Sequence, residues 1–192
     1  MRHFTATTIA LALTALTLFS FRGNPVPAIQ EEEVPGTITA IGNAGSDNVF
    51  TFEKWKWTEF SIEEDKVENI HLKALIDCRS LTCDWKDLEK SIRKKPDYFN
   101  VSDFPTATVE VQGAEPAEEA GLWTTEALVT IKEITKPIAL SFKVSDRKPY
   151  QVIGDGVIKR KKFDFNGGGP KNEVPVHFEA HLPEGPLAAE AE

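Results

Sequence analysis

His177, Glu179 and His181 stand at alternate positions near the end of the chain. Residues two apart in an extended segment share a face, and these side chains are of types that zinc accepts. The spacing works against it. Two-residue steps spread the side chains about 6.8 Å apart, whereas zinc draws its ligands to about 2 Å. No metal site is expected there, and His71 is a lone outward histidine without a visible partner. Cys78 and Cys83 bracket Arg-Ser-Leu-Thr and offer too few ligands for a metal. In an oxidising compartment they are expected to close a short-loop disulfide, the alternative being two unpaired thiols packed near a strand end. The run NGGGPKN (166–172) has glycines but not the GxxxxGK[ST] arrangement that cradles phosphate, and reads as a mobile hairpin loop that could serve as a rim element. No Ser-His-Asp motif, nucleophile elbow or paired-histidine helix occurs, and the many carboxylates fall on wet faces where nothing raises a pKa. The chain is expected to be no enzyme and to require no cofactor.

Apolar surface is the chemistry that remains. In KKPDYFNVSDFPTATVEV (94–111), Tyr98, Phe99 and Phe104 fall within seven residues of one another, between two prolines, where composition alone suggests a loop. Such rings either plug a core or line an opening.

The elements that must position them alternate with period two. Ile70, Leu72, Ala74 and Ile76 share one face, as do Ala107, Val109 and Val111, then Ala127, Val129 and Ile131. The same holds for Ile138, Leu140, Phe142 and Val144, and for Val174, Val176, Phe178, Ala180 and Leu182. One dry and one wet face per segment is the half-buried antiparallel pattern. In NVFTFEKWKW, Phe50 and Phe52 share one phase while Trp55 and Trp57 share the other, which predicts a bulge or bend near Glu53 or Lys54. One helix is expected over about residues 84–95, capped by Asp84, apolar at Trp85, Leu88 and Ile92, and ended by Pro96. Seven or eight strands and one helix predict a mainly β protein, an antiparallel barrel or sandwich with a helix attached. A barrel of eight strands can be filled by side chains or hold one slender ligand, and periodicity alone does not choose.

The flanks are of another kind. Arg2 and His3 precede an uncharged run from Phe4 to Phe21, and small residues at Val26 and Ala28 fit a cleavage site, so residues 1–28 read as a secretory signal peptide. Residues 29–36 form an acidic linker, residues 37–183 one domain, and residues 184–192 a flexible tail. Removing the signal, with its two basic and no acidic residues, takes the formal net charge from −8 to −10. Nucleic acid is excluded as a partner by that balance.

The ordered pieces IDCRSL, DLEKSI, DYFNVSDFPTATVEV, LVTIKEITKPIALSFKV and GDGVIKRKKFDF, spanning residues 67 to 165, resemble the YceI-like family of exported, lipocalin-like proteins. The resemblance rests on Asp77, Ser80 and Leu81; on Tyr98, Phe99, Phe104, Pro105, Ala107 and Val109; on Val129, Thr130, Ile131, Thr135, Lys136 and Pro137; and on Gly156, Ile158, Arg160 and Phe163. It implies a lipocalin-like antiparallel β-barrel of about eight strands, located in the periplasm, with an apolar tunnel for a polyisoprenoid or isoprenoid-quinone chain and no shared catalytic residue. The tunnel wall would then be the inward Val109, Val111, Val129, Ile131, Leu140, Phe142, Val144, Ile158 and Phe178. Tyr98, Phe99 and Phe104 would shape the cavity or its entrance, and Phe52, Trp55, Trp57 and Phe163 complete the candidate ligand-binding set.

Two departures matter. Glu133 replaces a glycine usual in the family's hairpin, and FEKWKWTEFSIEED replaces a glycine-containing hairpin. Trp55, Trp57 and Phe60 could therefore fill the tunnel, leaving a barrel that acts through its surface as a stress-response or protein-interaction component. Basic islands at 93–95 and 159–162 could make transient contact with a membrane surface. Oligomeric state stays open, a homodimer included.

Overall fold

The computed structural model describes residues 34–42, 48–169 and 171–188. Residues 1–28, where the sequence predicts a signal peptide, and the start of the expected linker lie outside them. The elements run β1 (Gly36–Gly42), β2 (Asn48–Phe52), β3 (Trp55–Ile62), β4 (Ile70–Asp77), β5 (Leu81–Thr82), α1 (Lys86–Lys94), β6 (Thr106–Gln112), β7 (Glu115–Pro116), β8 (Leu122–Ile131), β9 (Ile134–Val144), β10 (Gln151–Lys159) and β11 (Glu173–His181). Every pairing is antiparallel.

The sheet curls because its ends are the two halves of one bent segment. β2 pairs β1 and β5, while β3, only two residues further on, pairs β4 at the other end of the strand order. With β2–β3 and β4–β5 each taken as one bent strand, and the short β7 set aside, eight strands follow one another round a circuit. The hinge is where the change of phase predicts it. Glu53 and Lys54 are both exposed, so Phe52 and Trp55 point inward from opposite phases. A second shift of register lies between Trp57 and Glu59 and turns Phe60 inward.

The Asp77-x-x-Ser80 motif holds this hinge. Asp77, buried at the end of β4, accepts from the Arg79 backbone N–H (2.9 Å) and from Nε (2.8 Å) and Nη2 (2.9 Å) of the Arg79 guanidinium. A two-pronged ion pair of this kind fixes orientation as well as position. Ser80 Oγ then accepts from the Lys54 N–H (2.9 Å), and the Asp77 N–H donates to the Lys54 carbonyl (2.9 Å). One turn thus satisfies the polar backbone that the break in the ladder would leave bare.

α1 is shorter than the expected 84–95. Trp85, not Asp84, is its N-cap residue, and no side-chain cap is made there. Glu89 reaches back to the Cys83 N–H (3.1 Å) instead, as the acidic partner of a capping box does. Leu88 and Ile92 pack on Phe50, Leu81 and Cys83, whereas Trp85 is 59% exposed. The start of the tail is tied down as well: Leu187 bridges Phe60 through backbone bonds of 2.9 and 3.0 Å.

The β8–β9 hairpin turns on Lys132 and Glu133, both at positive φ (52° and 61°) between the paired Ile131 and Ile134. Two left-handed residues define the type I′ turn, which favours glycine at the second. Glu133→Gly is expected to raise stability by about 1 kcal/mol, by removing the steric cost of a left-handed side-chain-bearing residue. A higher urea midpoint at unchanged slope checks this. Lys132 is different. Its ammonium donates to the carbonyls of Pro96 (2.8 Å) and Asp164 (3.1 Å), so its side chain ties the hairpin to two connections.

Candidate functional site: an apolar cavity inside the barrel

The inward faces do not meet in the middle. They enclose a cavity of about 370 Å³ whose wall is almost wholly aliphatic and aromatic. From β6 come Val109 and Val111, from β8 Val129 and Ile131, from β9 Leu140 and Phe142, from β10 Ile158, and from β11 Phe178. Phe52, Trp55, Trp57, Tyr98 and Phe99 complete the expected residues that reach it.

Three expected residues do not line it. Val144 packs against the core cluster near the far end of β9. Phe163 is fully buried in the one-turn helix Arg160–Phe163 and belongs to the packing beneath the wall. Phe104 is half-buried in the connection before β6, where its N–H closes a turn on the Asn100 carbonyl (2.9 Å). Alternation tells which face a residue takes, but not its level along the barrel axis.

The rings of the bent strand line the void and also seal its wall. Trp55 and Trp57 meet edge to face, with centroids 5.1 Å apart. Their indole N–H groups donate to the Gly36 carbonyl (3.1 Å) and the His181 carbonyl (2.8 Å), on the first and last long strands of the circuit. Phe60 is 3% exposed and lies in the core, outside the cavity lining. The alternative of a ring-filled interior does not describe this barrel.

At one end the wall changes character. Phe99 stacks edge to face on Phe52 (5.8 Å) and Phe165 (4.8 Å), and Tyr98 donates its hydroxyl proton to the Gly168 carbonyl. The glycine run is held, not loose. Arg160 donates to the carbonyls of Phe165, Gly167, Gly169 and Lys171, each at 2.9 Å, using the fixed fork of its guanidinium to organise a loop without regular structure. A Cβ on Gly167 would lie 2.3 Å from the Tyr98 ring, so a larger residue there would have to displace that ring. Trp85, Leu88 and Ile92 of α1, with Arg160, Gly168 and Lys171, form the rim. Sequence reading offered the glycine run as a rim element but missed Trp85, Leu88, Ile92 and Arg160 there, and also Ile38, Ala40, Phe50 and Leu72 in the wall. The wall residues carry the alternation signal. The rim has none, because a helix and a loop place it.

Cys78 and Cys83 are free thiols, not a disulfide. The intervening turn delivers them to different apolar clusters. Burial, with the neighbouring Asp77 charge, pushes the Cys78 thiol up to about 12, and the Cys83 thiol donates to the Trp85 carbonyl (3.2 Å).

On the outer face, His177 lies between Asp155 (2.9 Å) and Glu179 (3.2 Å), and these hydrogen bonds raise its pKa above 6.5. The gained proton stabilises the fold below the unfolded value, and that contribution is lost as pH rises through the folded one. His177→Gln is expected to flatten this part of the stability profile, by a small amount because Asp155 and Glu179 are exposed and His177 is only half-buried. Denaturation curves on either side of pH 6.5 check it. His71 also has partners: Glu59 holds both it (3.0 Å) and Lys73 (3.2 Å).

A model of the YceI-like domain family matches residues 30–182. No curated protein matches the chain. Among solved structures, BcnA of Burkholderia cenocepacia is similar at 20% identity over 77% of this chain and 96% of that one, with a TM-score of 0.64. A domain of Saccharophagus degradans, described as polyisoprenoid binding and implicated in plant cell wall breakdown, is 14% identical over 77% and 94%, with a TM-score of 0.57. The YCEI protein of Campylobacter jejuni is 17% identical over 90% and 100%, with a TM-score of 0.58. These likenesses speak for the fold, while the family model covers nearly the whole barrel and its order of motifs: the chain belongs to the YceI-like domain family.

Proposed function

We propose that the protein binds the hydrocarbon chain of an isoprenoid lipid, either a polyprenyl chain or an isoprenoid quinone, inside the barrel and carries or sequesters it in the periplasm. The observation that carries this reading is the apolar void inside the barrel, opening at a rim that carries Arg160 and Lys171. Its volume falls at the low end of the roughly 300–1,000 Å³ usual for small-molecule sites. Family membership and the polyisoprenoid-binding neighbour point the same way. The signal-like N-terminal segment supports export.

The energetics favour reversible carriage. Removing a chain from water is worth about 0.8 kcal/mol per methylene. Such a chain ordinarily sits in a bilayer, which is already apolar, so most of that term cancels. Close packing against the wall, and contacts of the head group at Lys171 and the glycine loop, must decide the balance. No group in the wall offers a nucleophile or an acid–base pair, and the reading is non-catalytic. Native mass spectrometry of protein isolated from the exported fraction, followed by organic extraction, tests it. An added mass that extracts as a prenyl lipid is expected, and protein that carries none when purified from prenyl-containing membranes overturns it.

A further inference from the structure

We propose that the cavity mouth docks on the surface of an anionic phospholipid bilayer, with Trp85 inserted among the head groups. This rests on the lipid-carrying reading and adds the surface through which the guest would enter. Trp85 lines the mouth yet is, among the described residues, the most exposed of the large apolar side chains. It sits at the first turn of α1 with no capping bond to explain its position. Tryptophan, with an apolar body and a polar N–H, is the residue that settles at membrane interfaces. Two more exposed apolar side chains, Ile41 and Val49, face each other across β1 and β2, each next to a residue of the cavity lining, Gly42 and Asn48.

Charge is segregated to the same end. The two segments that build the rim, residues 84–97 and 159–173, contain ten basic and six acidic residues, a net of +4, in a chain whose formal net charge is −8. The remainder is thus −12. Lys86, Lys90, Lys94, Lys95, Lys161, Lys162 and Lys171 are all exposed. A basic rim round an apolar mouth complements an anionic lipid surface, while the acidic body is repelled from it, and the two effects together orient the molecule. A second copy of this chain fits the rim poorly, since a two-fold contact would set the same positive surface against itself.

The test uses the full purified protein with vesicles of phosphatidylcholine, alone or mixed with phosphatidylglycerol. Sedimentation with the mixed vesicles alone is expected, with a blue shift of tryptophan emission and release by added salt. Trp85→Ala should weaken partition by roughly tenfold and remove the shift. Lys90→Glu with Lys94→Glu should weaken sedimentation without changing the lipid retained in native mass spectra. Equal binding to both vesicle types, no binding, wild-type partition by the variants, or a solution dimer that Trp85→Ala dissolves would each overturn the docking. Retained lipid without vesicle binding defeats docking alone. Vesicle binding by protein that never retains lipid upholds docking and defeats the carriage reading.

Discussion

Trp55→Ala is expected to lower the free energy of unfolding by about 4 kcal/mol, near the upper range for loss of a buried aromatic. The indole is 2% exposed, contacts Trp57 edge on, and donates to the Gly36 carbonyl. Its position explains the size of the effect. β3 has a ladder partner on one side only, β4; on its other side two indole N–H groups reach the start of β1 and the end of β11, and the Phe60–Leu187 bridge ties it to the segment after β11. Alanine would leave a cavity, an unpaired carbonyl and a gap in the wall. Trp55→Phe keeps most of the apolar volume and should cost about 1.5 kcal/mol, the share owed to the lost hydrogen bond and part of the contact. Guanidinium unfolding followed by circular dichroism measures both. An alanine variant within about 1 kcal/mol of the parent would show that the seam does not depend on this ring.

Val109→Trp is expected to act in the opposite sense, abolishing lipid retention while leaving stability unchanged or raised by about 1 kcal/mol, as filling a void does. Val109 lies mid-wall between Ala74 and Val129, and it is only half-buried although it points into the barrel. Its exposure is to the cavity. An indole there would occupy space that the guest needs, against neighbours small enough to leave room for it. Native mass spectra should lose the added mass while the unfolding midpoint holds. A folded variant that retains lipid as the parent does would remove the cavity from the mechanism.

The strands were legible because each buries one face, and alternation records that directly. β4, β6, β8, β9 and β11 therefore lie where Ile70–Ile76, Ala107–Val111, Ala127–Ile131, Ile138–Val144 and Val174–Ala180 put them. The hinge at Glu53–Lys54 was legible for the same reason, as a slip of phase. Periodicity did not disclose height along the axis, so Val144 was expected at a wall it does not reach. Nor did it disclose the use of Trp55 and Trp57 as lateral fasteners, since an indole N–H that meets a strand carbonyl looks in sequence like any other apolar position. Of the rim, the glycine run was legible as a loop, but not the way Arg160 holds it by its carbonyls or that α1 supplies Leu88 and Ile92 beside it, since neither leaves an alternation signal.

The pairing of β1 with β11, which sets Gly36 against Ala180, has a consequence for how the molecule is made. The first strand of the wall waits for nearly the last, and Leu187 must arrive later still to cover β3. Contacts so remote in the chain form slowly, because a long loop has to be closed before they return anything. A partly synthesised chain would therefore present β3 and β1 as open edges, and open edges invite association. Completion of the polypeptide, not any local nucleus, closes the container.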